Sequence, residues 1–171
     1  MSHYFKTSAL ALALTLGSHA AFAAQDSSFV DDASAAGVGE IQAGQLAQQK
    51  GVAKDVKEFA DMMVKDHTAA NDKLKAIAQS KKMEVSADPA AMDKIKTMIL
   101  DLRSDKSFDQ AYANNQVKAH EAAITLFQKE AREGKDADLK AFASATLPKL
   151  EEHLAHARTL AATHGGDAAK D

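Results

Sequence analysis

Cysteine and tryptophan are absent from the 171 residues, and proline occurs only twice. Without cysteine the protein has no disulfide, so its stability does not rest on disulfide bonds. The same absence excludes thiol catalysis. No glycine-rich phosphate loop follows a strand pattern, and serine and threonine near histidine are too sparse to indicate a hydrolytic triad.

A concentrated positive charge is also missing. The chain has 21 Lys and Arg against 24 Asp and Glu, a formal net charge of -3. Because nucleic-acid binding needs a basic face or block, we do not expect a nucleic-acid partner. No residue pattern identifies a protein partner or an interface for a homo-oligomer.

The first 23 residues have the pattern of a cleavable signal peptide. Lys6 supplies a positive start, residues 9–16 are apolar, and Ala21-Phe22-Ala23 matches a small-x-small cleavage site. The apolar run is too short to cross a membrane, and no Cys follows it to carry a lipoprotein anchor. Cleavage after Ala23 predicts a periplasmic or secreted protein without a transmembrane anchor, and removing Lys6 takes the formal charge from -3 to -4.

The remaining chain is rich in alanine, poor in aromatic residues and patterned for helices. The apolar periodicity predicts four long helices. The first begins at a cap at Ser27 or Ser28 and ends at Gly51. The others span about 52–80, 107–133 and 137–164, with Asp136 as the N-cap of the last.

Short turns at Gly51 and at residues 134–136 predict two antiparallel hairpins. A long connection between them carries Asp88-Pro89, which predicts a short extra helix over about 89–102. We therefore predict an all-α, ferritin-like four-helix bundle over residues 24–164, followed by a disordered tail at 165–171.

Polar residues interrupt the inner apolar stripes of all four helices. If the turns are centred near residues 53 and 135, the four side chains lie at similar depths in the bundle. One carboxylate and three imidazoles are suitable ligands for a divalent transition metal such as Zn, Fe, Mn or Cu. The sequence therefore predicts a metal site at Glu40, His67, His120 and His153.

Two other interpretations of this cluster of buried polar residues remain open. The buried histidines and glutamate can hydrogen-bond within the core and only specify how the helices pack, as in a structural or interaction module. A redox-active enzyme is the other, and it would need an open coordination position and a pocket that reaches it.

Several segments together resemble the domain-of-unknown-function family 4142. They are Phe29-Val30, Glu40, Gly44-Gln45-Leu46-Ala47, Val56-Lys57-Glu58-Phe59-Ala60, Met63-Val64-Lys65-Asp66-His67, His120, Thr146-Leu147-Pro148 and His153-Leu154. The resemblance covers residues 28–160. It implies an exported bacterial protein of the ferritin-like superfamily and leaves the activity open, because the family has no settled biochemical activity.

The ferritin-like group also implies di-iron centres with Glu-x-x-His motifs, and this chain departs from that pattern. Three residues before the histidines stand Val64, Val117 and Leu150. Without the carboxylates that two irons require, ferroxidase or oxygenase activity is not expected. We therefore predict an exported, non-enzymatic bundle that binds one transition-metal ion in its core, with a role in envelope stress or metal handling.

Overall fold

Four helices make up nearly all of the chain that the computed structural model describes, which is residues 16–51, 53–83, 85 and 108–167, with side chains from residue 26 onward. They are α1 (Leu16–Lys50), α2 (Lys54–Ser80), α3 (Phe108–Glu133) and α4 (Ala137–Thr163). No described helix is both long and apolar enough to cross a membrane.

The start of α1 differs from the sequence prediction. The helix begins at Leu16 and continues through Ser27 and Ser28, so the predicted cap at these serines is wrong. Alanine-rich sequence on both sides favours continuation of the helix over a new start. The helix passes through the predicted cleavage site after Ala23, and signal-peptide cleavage stays a prediction.

Caps fix the starts of α2 and α4. The Asp136 side chain accepts hydrogen bonds from the backbone N–H groups of Asp138 and Leu139, as predicted for the N-cap of α4. The N-cap of α2 is Ala53, which has no capping side chain of its own. Asp109 of α3 accepts from the Ala53 N–H at 2.9 Å, which places the starts of α2 and α3 at the same end of the bundle.

Cross-helix contacts define the directions of the helices. Gln48 donates to Asp61 at 2.7 Å and Asn71 donates to the Ser34 carbonyl at 3.2 Å, so α1 and α2 are antiparallel. A hydrogen bond from Arg158 to Glu121 at 2.9 Å lies across the second pair, α3 and α4.

The two hairpins therefore run up-down and down-up, since α2 and α3 are parallel. The end of α2 and the start of α3 therefore lie at opposite ends of the bundle. The predicted ferritin-like four-helix bundle is confirmed. The short helix predicted at about 89–102 lies outside the described residues.

Two apolar clusters fill the bundle, and a polar layer lies between them. The cluster nearer the Gly51 end contains Phe59, Met63, Tyr112 and Leu160 among its larger members. The cluster nearer the other end contains Phe29, Leu74, Phe127 and Phe142 among its larger members. The buried polar residues between them are Glu40, His67, Gln116, His120 and His153.

Glycines in α1 permit a close approach by α2. A Cβ atom at Gly37 would lie 2.2 Å from Asn71 Oδ1, and one at Gly44 would lie 2.8 Å from Val64 Cγ2. Because both distances are below van der Waals contact, a Cβ atom at either position would require the neighbouring α2 side chain or the helix spacing to change.

The predicted tail begins with two residues that contact the bundle. The Gly166 N–H donates to the Ala161 carbonyl at 2.7 Å, and the Gly165 carbonyl accepts from Gln110. Residues 168–171 lie outside the described residues.

Candidate metal centre

Three histidines from three helices meet in the polar layer. His67 of α2, His120 of α3 and His153 of α4 occupy core-facing positions, with 8%, 0% and 1% of their surface exposed. Their ring centroids form a nearly equilateral triangle, with separations of 5.5, 5.5 and 5.4 Å. The bundle thus brings together residues that are distant in sequence because each replaces one apolar residue at a similar depth.

One ring nitrogen from each histidine can serve as a metal ligand, and the three atoms all lie within 4.8 Å of one another. Metal–imidazole bonds are about 2 Å long. Small side-chain movements therefore suffice for one ion to contact all three rings.

Hydrogen bonds hold two of the rings through the nitrogen that would not bind metal. His120 Nδ1 lies 2.8 Å from the Gln116 carbonyl, and His153 Nε2 lies 3.1 Å from Asp66 Oδ2. Since a carbonyl and a carboxylate only accept, these nitrogens carry the protons in the neutral rings. His120 Nε2, His153 Nδ1 and His67 Nε2 are buried without a hydrogen-bond partner in the described structure, which leaves each ring one nitrogen for an ion.

The local environment keeps two of the imidazoles neutral. Burial lowers the pKa of His67 to about 4; the Glu40 charge opposes this shift, and the nearby histidines add to it. Burial likewise lowers the pKa of His153 to about 4, against the effect of its hydrogen bond to Asp66. Neutral imidazole is the form that binds metal, so protons compete little at neutral pH.

Glu40 lies beside this triad and is not part of the group within 4.8 Å. Glu40 is 6% exposed, and its Oε2 atom has no hydrogen-bond partner among the described residues. The negative charge of Glu40 partly opposes the lowering of the His67 pKa, and it adds to the effect of burial, which raises the pKa of Tyr112. A buried carboxylate oxygen without a partner, next to three imidazole rings, fits a positively charged occupant.

A cavity of about 430 Å³ reaches the triad. All four helices contribute to its wall. Most of the wall is apolar, with Leu74, Phe127, Phe142 and Leu150 as its larger members. Glu40, His67, His120 and His153 all line it, so an ion at the triad would have a route to the protein surface and an open side.

The structure places all four sequence-predicted residues in one buried layer. For the three histidines, one possible ligand nitrogen from each lies within 4.8 Å of the other two. Asp66, the partner of His153, was missed because it lies beside the α2 stripe and not on it. The one signal for it is its position next to His67. The Asn71 side chain bonds to the Ser34 carbonyl, and Gln116 contributes its backbone carbonyl to His120.

Solved structures of a protein named CopM have the same fold. Those titled CopM in the Cu(I)-bound form, the Cu(II)-bound form and the apo form match with TM-scores of 0.69, 0.69 and 0.64. Their sequences are 17%, 14% and 16% identical to this chain. The matches cover 78%, 81% and 78% of this chain and 93%, 96% and 93% of the CopM chains.

The sequence comparisons place the chain in a family. A comparison with curated proteins gives no match. The model of the family described as "Domain of unknown function (DUF4142)" matches residues 11–160, most of the chain, in agreement with the resemblance seen in the sequence. The chain therefore belongs to the DUF4142 family.

Proposed function

We propose that this protein binds one copper ion in the core of its helical bundle and serves in copper handling in the cell envelope. The observation that carries the proposal is the triad of buried imidazoles, with three possible ligand nitrogens within 4.8 Å of one another. His67, His120 and His153 are the proposed ligands, and Glu40 is the adjacent carboxylate that completes the site.

The donor set favours copper among the transition metals considered. Imidazole suits Zn, Fe and Cu, and a given site of nitrogen and oxygen donors binds Cu(II) more tightly than the other divalent ions of the first row. Mn prefers sites richer in oxygen, and the Glu-x-x-His motifs of di-iron proteins are absent. The fold shared with CopM, which was solved with Cu(I) and with Cu(II), supports the same choice.

Binding is a better description of the site than catalysis. Three imidazole rings, two of them held by hydrogen bonds, form a pre-organised site. The cavity supplies an entry route for the ion. Export through the predicted signal peptide would place this site in the periplasm or outside the cell, where mass spectrometry of the secreted protein should find Ala24 as the first residue.

Metal titration of untagged, metal-free protein tests the proposal. We expect about one copper ion per chain in competition assays, with weaker binding of Zn, Mn and Fe. His67→Ala, His120→Ala and His153→Ala should each remove tight binding, while His156→Ala, an exposed histidine on α4, should not. Absence of a stoichiometric ion, or an equal loss with His156→Ala, would contradict the proposal.

A purely structural role for the polar layer is the second candidate. The Asp66–His153 hydrogen bond joins α2 to α4, as a packing-specific contact would. Thermal unfolding separates the two roles, because an ion that binds only the folded state raises the melting temperature. A structural layer predicts that copper leaves the melting temperature unchanged while the histidine variants lower it.

A further inference from the structure

The cavity beside the histidine triad is much larger than a single ion requires. Its volume of about 430 Å³ lies within the range of about 300–1,000 Å³ that is usual for small-molecule sites. Away from the triad its wall is formed by large apolar side chains, among them Leu74, Phe127, Phe142 and Leu150. Ordered water needs several polar partners, which this part of the wall lacks, so an apolar organic group is the better occupant.

The charged side chains of the cavity wall have a negative balance. Among the described residues, the carboxylates of Asp32, Glu40 and Asp66 line the cavity, together with the ammonium group of Lys149. Glu40 is buried, and its Oε2 atom has no hydrogen-bond partner in the described part of the chain. A cleft lined by one sign of charge attracts the opposite sign, so this wall favours a cationic ligand over an anionic one.

The triad presents hydrogen-bond acceptors at the polar end of the cavity. His120 Nδ1 faces a carbonyl and His153 Nε2 faces a carboxylate, so in the neutral rings the free lone pairs lie on His120 Nε2 and His153 Nδ1. These two nitrogens and His67 Nε2 are buried and unpartnered in the structure as described. One nitrogen from each ring lies within 4.8 Å of the other two, and the centre of an equilateral triangle with sides of that length is about 2.8 Å from each corner. This distance is a normal hydrogen-bond length, so the triad can hold a hydrogen-bond donor without contracting.

A primary ammonium group matches this arrangement. Like the ammonium group of lysine, it carries three N–H donors and no acceptor, and its one substituent points away from the three donors. When the donors are directed at imidazoles from three helices, the substituent extends into the apolar part of the cavity. A carboxylate ligand has no donor for these nitrogens, and it would add negative charge beside Glu40.

We propose that the metal-free protein binds a small apolar primary amine in this cavity, with the ammonium group at the histidine triad and the apolar body against the aromatic and aliphatic part of the wall. The inference goes beyond the proposed function, because it concerns the protein without metal and does not require that copper binds.

Three aromatic ligands of similar shape test the role of the ammonium group. They are phenethylamine, phenethyl alcohol and hydrocinnamate, which are cationic, neutral and anionic at neutral pH. Each is titrated by calorimetry into the untagged, chelator-treated protein. We expect about one phenethylamine per chain, binding of the alcohol that is weaker by about tenfold or more, and no measurable binding of the acid. Equal affinities for the amine and the alcohol would overturn the proposal.

Two substitutions locate the bound amine. His67→Leu replaces one acceptor by an apolar side chain, so it should remove the preference for phenethylamine over phenethyl alcohol. His156→Leu, on the exposed side of α4, is the matched control and should keep the preference. Ala123→Leu narrows the cavity and should weaken amine binding by about tenfold or more, whereas Ala155→Leu, at an exposed position of α4, should not.

The outcomes separate this inference from the copper function. A preference for the amine that survives in His67→Leu would overturn the placement at the triad and with it the proposal. If His67→Leu does not fold, equal amine affinities of Ala123→Leu and Ala155→Leu would overturn the proposal instead. Binding of copper without binding of phenethylamine would refute this inference alone, and binding of phenethylamine without binding of copper would refute the proposed function alone.

Discussion

His153 Nε2 and Asp66 Oδ2 lie 3.1 Å apart across the interface between α2 and α4. The histidine is 1% exposed, while the Asp66 carboxylate lines the cavity, is 24% exposed and has Lys149 at 3.9 Å. The carboxylate therefore fixes which nitrogen of His153 carries the proton, and it turns Nδ1 into the possible metal ligand.

Removing the Asp66 carboxylate should weaken copper binding without removing a proposed ligand. Asp66→Ala leaves His153 free to adopt the other tautomer, and loss of such a partner typically costs about 10–100-fold in metal affinity. Competition titration measures the change. Asp72→Ala, an exposed acid on the same helix, is the control and should bind copper like the unsubstituted protein. Equal affinities of the Asp66 and Asp72 variants would show that the hydrogen bond does not organise the site.

Much of the site could be predicted from the sequence because helices are regular. His67, His120 and His153 each replace an apolar residue on a stripe with helical period, and counting residues from the turns placed them at similar depths. This comparison of depths required only that the two helices of each hairpin be antiparallel, as the short turns imply.

Other parts of the site depend on how the helices are rotated against each other, which periodicity does not specify. Asp66 reaches His153 only because the two helices face one another at that register. The burial of Glu130, which is 2% exposed, was likewise not predicted. The start of α1 was misplaced because Ser27 and Ser28 fit a cap motif that a continuous helix overrides.

The metal-free protein should lose stability as the pH falls from about 6.5 to about 4. Folding lowers the pKa of His67 and His153 to about 4, so the unfolded chain binds more protons than the folded chain in this window. The contribution of the neutral rings is fully present above pH 6.5 and is lost towards pH 4. Each imidazole changes the free energy of unfolding by at most about 1.4 kcal/mol per pH unit.

Urea unfolding at a series of pH values, with a chelator present, measures this dependence. His153→Gln should reduce the slope below pH 6.5, because one of the two titrating groups is gone. His156→Gln, on the exposed side of the same helix, should leave the slope as it is. A slope that is independent of both core histidines would contradict their neutral burial.

Glu130 should give the free energy of unfolding a pH dependence opposite to that of the two histidines. Burial raises its pKa to about 7, and the charges of Asp26 and Asp136 add to the effect. Because the folded state binds the proton more tightly, stability falls as the pH rises from about 4.5 through 7. Glu130→Gln removes this dependence and should raise the free energy of unfolding at pH 8 by on the order of 1 kcal/mol, with a smaller effect at pH 5.

The two pH effects overlap, so the variant also makes the histidine dependence clearer. Between pH 4.5 and 6.5 the histidines and Glu130 change the free energy of unfolding in opposite directions, so the unsubstituted protein shows only the net change. In Glu130→Gln the free energy of unfolding should fall more steeply as the pH is lowered. Glu133→Gln, an exposed acid at the end of the same helix, is the matched control. If the Glu130 and Glu133 variants unfold alike at pH 8, the carboxyl of Glu130 is not protonated in the folded state at neutral pH.

The close approach of Gly37 and Asn71 predicts that Gly37→Ala destabilises the protein when Asn71 is present and stabilises it when Asn71 is replaced by alanine. A Cβ atom at Gly37 would meet Asn71 Oδ1 at 2.2 Å, and Asn71 is held by its hydrogen bond to the Ser34 carbonyl. Gly37→Ala should therefore lower the free energy of unfolding by about 1–3 kcal/mol through overpacking. In an Asn71→Ala background the obstacle is gone, and the same substitution should stabilise by up to about 1 kcal/mol, because alanine is the better helix former. Thermal or urea unfolding of the four proteins in this double-mutant cycle measures the change in the free energy of unfolding in both backgrounds. If the effects of the two substitutions are additive, α1 and α2 do not approach as closely at this point as the structure places them.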